Sequence, residues 1–290
     1  MKGSPAPLPA LSLTVLVDNN TFTDQYFLGE PGLSILLQAE GKRILFDTGY
    51  SDAVLRNADS MGESLLNLDF IILSHGHLDH TGGLVHLVRR LTEAAINNIP
   101  HKLPELITHP HCFYPRPKSP LPDIGSLLSE ERARLHIPIR TSREPVWITE
   151  NLVFLGEIPR KFPFEQTDPG RRRIVMPDGQ ILPDRLIDDS ALACQCPDGL
   201  VIITGCSHSG ICNITEYARE ICSDRRILDI VGGFHLLKPS PAQLSGTCDY
   251  FRGAAPRAVH ASHCTSLEAK IALAGSCPLK ETGVGLRLEY

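Results

Sequence analysis

Short apolar runs and amphipathic segments alternate along the first hundred positions. Leu11 to Val17, Ser34 to Ala39 and Arg43 to Phe46 read as strands, the last two joined by a Glu40-Gly41-Lys42 turn that suits a hairpin. Asp52 to Met61 reads as a helix and Phe70 to Leu73 as a strand. A longer helix follows through "LVHLVRRLTEAA", with Leu84, Leu87, Val88 and Leu91 on one face. From Pro100 to Pro183 the pattern breaks into proline-rich turns, with a helix near Leu127 to Leu135 and strands at Leu106 to Thr108, Val146 to Ile148 and Leu152 to Leu155. A long irregular stretch of this kind suits a lid or a binding loop. The second half repeats the first plan. Ala191 to Gln195 and Leu200 to Thr204 form a hairpin across "CPDG", and a helix is expected from about Ile214 to Cys222. The strand Ile227 to Val231, the helix Ala242 to Arg252, the strand Ala258 to Ala261, the helix Ser266 to Ala274 and the strand Gly285 to Glu289 complete the series. Two halves, each with antiparallel strands leading into strand-helix units, predict an α+β fold with two sheets face to face and helices outside. The expectation is a four-layer αββα sandwich formed by one domain over 1–290, with a loop-rich insertion or lid around 100–183.

Composition narrows this picture modestly. A chain of 290 residues with 42% hydrophobic content can fill a sizeable core. Its 28 basic and 33 acidic residues leave a net charge of -5, which offers no broad footprint for nucleic acid or an anionic membrane. The apolar segment Leu8 to Val17 contains Pro9 and runs into Asp18-Asn19-Asn20 without a small-residue cleavage pattern, so it reads as a first strand, not a signal peptide. No run approaches the roughly 18 apolar residues of a membrane span. Nine cysteines, an odd number outside any small-domain framework, suit reduced thiols and a cytoplasmic location. Cys194 and Cys196, one residue apart, are expected to be small buried side chains on a strand.

The chemistry concentrates in "SHGHLDHTGGL", Ser74 to Leu84. A strand ending at Leu73 delivers His75 and His77 to the same side of the loop at its carboxyl end, and Asp79 and His80 fall at the start of the next helix. One segment can thus serve two ions, His75 and His77 for one and Asp79 and His80 for its neighbour. Imidazole and carboxylate suit zinc, and also manganese or iron. Gly82 and Gly83 allow the helix start to pack tightly against this turn.

"SHGHLDHTGG" resembles the signature of the metallo-β-lactamase superfamily, and "FDTG" (Phe46 to Gly49) is similar to the turn that precedes it there. "TGCSHSGICNI" (Thr204 to Ile214), "VGGFHL" (Val231 to Leu236) and "SHCT" (Ser262 to Thr265) resemble the subgroup named after a dihydropterin-aminobenzene-phosphate synthase. The resemblance implies the αββα fold with a one- or two-metal site at one edge of the sandwich. His208, after the strand Leu200 to Ile203, matches the placement of His75, and His263, after Ala258 to Ala261, stands where the last ligand stands in the superfamily. Both are expected metal ligands. His235 also sits at a strand's carboxyl end, and three roles are open to it: substrate contact, proton donor or ligand.

One departure from the superfamily stands out. Many members bridge their metals with the aspartate of "TGD", whereas this chain has Thr204-Gly205-Cys206. Cys206, Asp188 and Asp189 are the candidates to fill that place, or the site works with one ion. Asp47 is expected to orient a ligand histidine. His109 and His111 have no acid beside them in sequence and read equally as pocket lining or plain loop, and "GRRR" (Gly170 to Arg173) reads as a phosphate clamp or a solvated face.

The expected activity is hydrolysis of a small, anionic or heterocyclic ester or phosphoester by metal-activated water, with Asp79 and His235 as catalytic groups. A rival is a non-hydrolytic pterin or phosphate-ester synthase, which would line its pocket with Phe113, Tyr114, Phe164 and Phe234. A second rival is a metal-binding sensor without turnover. The expected partner is a small molecule, with neither nucleic acid nor membrane, and the oligomeric state is left open.

Overall fold

A computed structural model describes residues 11–166 and 169–290. The beginning of the apolar run at Leu8 to Ala10 and part of the loop "PRKFPFEQTDPGRRR" lie outside the described residues. In chain order the strands of the first half are β1 (Leu11–Val17), β2 (Ser34–Ala39), β3 (Lys42–Phe46), β4 (Phe70–Ile72), β5 (Glu105–Thr108), β6 (Ile139–Thr141), β7 (Val146–Trp147) and β8 (Leu152–Phe154). They are followed by β9 (Arg173–Val175), β10 (Ile181–Pro183), β11 (Ala191–Cys196), β12 (Gly199–Thr204), β13 (Ile227–Gly233), β14 (Ala258–Ser262) and β15 (Arg287–Glu289). The helices are α1 (Ala53–Ser60), α2 (Leu78–Thr81), α3 (Leu84–Ile96), α4 (Glu130–Arg134), α5 (Ile211–Cys222), α6 (Pro241–Ala254) and α7 (Leu267–Ala274).

One sheet has the order β15-β1-β2-β3-β4-β5-β6 and the other β14-β13-β12-β11-β8-β7, with β9 and β10 forming a separate ribbon. Alternation along the strands explains why the sheets stack. Ile35, Leu37, Ile44 and Phe46 join Leu192, Cys194, Val201 and Ile203 in an apolar layer between the sheets. Their neighbours Leu36 and Leu45 face the opposite way, into a layer shared with Val54, Leu84, Leu87 and Leu91 of α1 and α3. On the far side Leu200, Ile202 and Ile230 pack against α5, α6 and α7 through Ile214, Phe251 and Leu273. Strands buried on both faces read as continuous apolar runs, as β12 does. Three apolar layers separate four structural ones, so the αββα sandwich is the fold.

Most predicted elements appear within a residue or two of their expected bounds, and the exceptions have local causes. α4 is shorter than Leu127 to Leu135 because the Ser129 side chain accepts from the Arg132 N–H and fixes the start. α5 begins at Ile211, three residues before the expected Ile214. There the Glu165 carboxylate accepts from the N–H groups of Cys212 and Asn213, each at 2.8 Å, and caps the helix from a distant loop. The stretch 100–183 contributes β5 and β6 to one sheet and β7 and β8 to the other, while its remaining loops cover one edge of the sandwich.

Candidate metal centre

Strands β1, β3, β4, β12, β13 and β14 end on the same edge of the sandwich, where their following loops converge. Four non-glycine residues within three positions of these strand ends adopt left-handed backbone: Asp47 (φ 57°), Ser207 (φ 61°), His235 (φ 49°) and His263 (φ 48°). Such conformations cost free energy and persist where the surroundings hold them. Two glycines are required by close approach. A Cβ on Gly83 would stand 1.9 Å from the Thr48 carbonyl oxygen, and one on Gly205 would stand 2.1 Å from Ser74 Oγ.

The six histidine and aspartate residues singled out by sequence come together here. His75, His77 and His208 form a triangle with ring centroids 4.7, 4.8 and 4.9 Å apart. His77 Nδ1 lies 3.0 Å from His75 Nε2 and 3.2 Å from His208 Nε2. On the other side His80 Nε2 lies 3.2 Å from His263 Nε2, and Asp79 Oδ2 lies 3.3 Å from His263 Nε2. Cys206 Sγ stands between the two groups, 3.2 Å from His80 Nε2. The ligand atoms of Asp79, His80, Cys206 and His263 lie within 4.8 Å of one another, as do those of His75, Cys206 and His208.

Outer contacts orient these rings. Asp47 Oδ2 is 2.7 Å from His80 Nδ1, which turns the other ring nitrogen toward the centre. The same carboxylate accepts from the N–H and hydroxyl of Ser74, and Ser74 Oγ lies 2.9 Å from His75 Nδ1. His263 is held by Asp18, which accepts from its N–H, and by Asn19 Oδ1 at 2.8 Å from its Nδ1.

Burial, reinforced by neighbouring imidazoles, lowers the pKa of His75 and His208 well below the ordinary histidine value. Burial and the Arg116 charge bring His77 to about 3. These three rings are therefore neutral, with lone pairs free for a cation. Burial also acts to lower His80, but Asp47 and Asp79 outweigh it and raise the pKa to about 9. Asp79 stays ionised: burial favours its neutral form, and His80 and His263 overcome that preference. The fit to a metal rests on this donor set, in which His75 Nε2, His77 Nδ1 and His208 Nε2 converge on one another.

A cavity of about 550 Å³ opens above the cluster. His77, Asp79, Cys206, His208, His235 and His263 form its floor. Tyr50, Leu121, Ile124 and Leu237 supply apolar wall, and Lys118 and Arg172 add cationic side chains. The His235 ring lies against His208, tilted by 55° with centroids 4.1 Å apart, and its Nδ1 is buried without a partner.

Several expectations change. Asp188 and Asp189 do not join the ligand groups: Asp188 Oδ2 takes Arg116 at 2.6 Å and the Gly76 N–H at 2.9 Å, and Asp189 Oδ2 takes the Ser209 N–H at 2.8 Å. His109 and His111 lie outside the cavity lining, where Glu157 and Arg143 engage them and Tyr114 stacks on His111. Phe113 and Phe234 are core residues and Phe164 packs on the helical layer, so none lines the cavity. Of "GRRR", Arg172 reaches the cavity. Tyr50 and Lys118 are cavity residues that no sequence motif singles out. A signal for Tyr50 was its place immediately after "FDTG"; Lys118 sits in an irregular loop that gives none.

The profile of the Metallo-beta-lactamase superfamily matches residues 28–181. The chain belongs to that superfamily. Within it, the chain is 29% identical over 256 residues, 84% of each protein, to the 7,8-dihydropterin-6-methyl-4-(beta-D-ribofuranosyl)-aminobenzene-5'-phosphate synthase of Methanocaldococcus jannaschii. It is 30% identical over 261 residues to an uncharacterized protein of the same archaeon, covering 89% of this chain and 91% of that one. The solved structure of Tm1679, described as a metal-dependent hydrolase of the beta-lactamase superfamily, superposes with a TM-score of 0.80 at 27% identity, over 97% of this chain and 99% of that one. The subgroup resemblance therefore holds, and this metallo-beta-lactamase superfamily member is an enzyme of the hydrolase or related synthase kind. No helix among the described residues is long and apolar enough to cross a membrane.

Proposed function

We propose that this enzyme hydrolyses a small anionic ester or phosphoester with the help of one or two bound metal ions. The observation that carries the reading is the convergence of histidine, aspartate and cysteine ligand atoms beneath the cavity. His75, His77 and His208 would hold one ion, and Asp79, His80 and His263 the other. A set of imidazoles and one carboxylate suits zinc, with manganese or iron as the next choices. When bound, such ions supply an activated water, whose pKa falls toward about 7, and polarise the scissile group.

The chain's own residues do the rest. Asp79, ionised and partly exposed to the cavity, orients the attacking water by accepting its proton in a hydrogen bond. His235 lines the cavity beside His208 and would donate a proton to the leaving group. Lys118 and Arg172 favour a substrate with negative charge, and Tyr50, Leu121 and Leu237 exclude water around its apolar part. The same reading treats the chain as one catalytic domain with a lid drawn from 100–183. The pairing of C-terminal β15 with β1 supports it. A cytoplasmic location fits nine cysteines that are all free thiols.

The synthase name of the archaeal relative motivates a second reading, condensation of a pterin or phosphate ester at the same centre. Burial of Phe113 and Phe234 in the core leaves that reading without its expected aromatic lining. The deciding experiment is elemental analysis of tag-free protein, with turnover of a phosphodiester and ester panel after zinc or manganese loading. One or two equivalents with turnover, both lost in His77→Ala while the far-ultraviolet circular dichroism is kept, is the expected result. Full activity in His77→Ala would remove the proposed centre, and metal without turnover of any ester would favour condensation.

A further inference from the structure

We propose that Cys206 is itself a metal ligand, a thiolate shared by the two halves of the centre. The inference rests on the metal-binding reading above and adds a ligand to it.

Position is the first argument. Cys206 belongs to every group of converging ligand atoms found among the described residues, the one with Asp79, His80 and His263 and the one with His75 and His208 included. Surroundings are the second. Seven of the nine cysteines, Cys112, Cys194, Cys196, Cys212, Cys222, Cys248 and Cys277, sit in the apolar layers as small hydrophobic side chains. Cys206 is equally buried, yet lies in none of these layers. Its Sγ faces ring nitrogens.

Charge is the third argument. Two cations close together repel each other, and an anion between them offsets the repulsion. The other nearby carboxylates are committed: Asp47 to Ser74 and His80, Asp188 to Arg116 and Gly76, Asp189 to Ser209. The turn also holds Cys206 in place. Gly205 packs against Ser74 Oγ, and Ser207 Oγ lies 2.6 Å from both Thr204 Oγ1 and the Gly233 carbonyl oxygen. Cys264 is the competing thiol, but its Sγ donates to the Cys206 carbonyl at 3.4 Å and accepts from the His235 N–H at 3.2 Å, so it buttresses the turn.

On binding, the Cys206 S–H proton leaves to solvent and the sulfur electron pairs form bonds to metal, with no change of oxidation state. A thiolate makes the centre softer, which favours zinc, cobalt or iron over manganese or magnesium.

The test uses the full chain loaded with cobalt(II), comparing wild type with Cys206→Ser, Cys206→Asp and Cys264→Ser. The readouts are cobalt stoichiometry by equilibrium dialysis and the near-ultraviolet thiolate-to-cobalt charge-transfer band. Wild type and Cys264→Ser are expected to show the band, and both Cys206 variants to lack it. Cys206→Asp should keep the wild-type stoichiometry, while Cys206→Ser should bind its weaker equivalent more than about tenfold less tightly. Wild-type protein that binds cobalt without the band overturns the thiolate and leaves the metal centre standing, a result that does not depend on how any variant folds. A band that survives in Cys206→Asp, or that disappears in Cys264→Ser alone, overturns it too. Wild-type protein that binds no cobalt overturns both readings.

Discussion

Asp47 shows how much of this centre is positioning. Its two oxygens take the N–H and hydroxyl of Ser74 and the Nδ1 side of His80, so one carboxylate links the end of β3 to the H-x-H-x-D-H segment. Asp47→Ala is expected to weaken metal binding about 10–100-fold, the usual cost of losing a group that orients a ligand. Competition titration against a chromophoric chelator measures this, and unchanged affinity would rule the role out. Arg116 is a second such residue. Fully buried, it pairs with Asp184 at 2.5 Å and Asp188 at 2.6 Å and thereby holds the loop beneath Gly76. Arg116→Ala leaves two buried carboxylates without their partner and is expected to cost about 3–5 kcal/mol. Urea unfolding would show it, and a loss below about 1 kcal/mol would mean that the carboxylates find other partners.

At the scale of elements, the N-terminus of α5 depends on a residue 47 positions away. Burial pushes the Glu165 carboxyl up to about 7, against the N–H groups of Cys212 and Asn213 that favour its ionised form. A carboxyl whose folded pKa lies above its unfolded value contributes stability that is complete below about 4.5 and is lost as pH rises through about 7. The change corresponds to on the order of 3 kcal/mol. Melting temperatures of Glu165→Gln should therefore fall less than those of wild type between pH 4.5 and 8, and parallel curves would refute the assignment. The same cap explains a limit of the sequence. The amphipathic pattern of α5 was legible, but its first turn was not, because the capping group comes from an irregular loop. β6, β9 and β10 were missed because three residues carry too little periodicity. Of the centre, His75, His77, Asp79 and His80 were legible because they crowd six positions after an apolar run. His208 and His263 needed the strands before them. Cys206 read as a departure, since a thiol after a strand looks like any small buried side chain until its neighbours are known. Lys118 and Arg172 could not be placed, because loops that cross an open edge have no period.

For the whole molecule, the two sheets are joined by more than the apolar layer between them. Tyr290, following β15 of one sheet, donates its hydroxyl to Asp229 Oδ2 at 2.7 Å on β13 of the other, and Asp229 also meets His260 Nδ1. Tyr290→Phe is expected to cost about 1–3 kcal/mol by leaving that carboxylate short of a donor, and a calorimetric melt would detect it. Metal should act as a larger tie. Protein stripped with a chelator is expected to melt roughly 5–10 °C lower than protein refilled with zinc at about a thousandfold over its dissociation constant. Identical melting curves would show that the centre does not join the sheets.

The candidate ligands run from position 75 to position 263 of a 290-residue chain. During synthesis, the first four emerge long before His208 and His263 exist, so an incomplete chain can offer an ion a partial grip and no finished site. Binding at the full ligand set would then require that both halves have been made and have found each other.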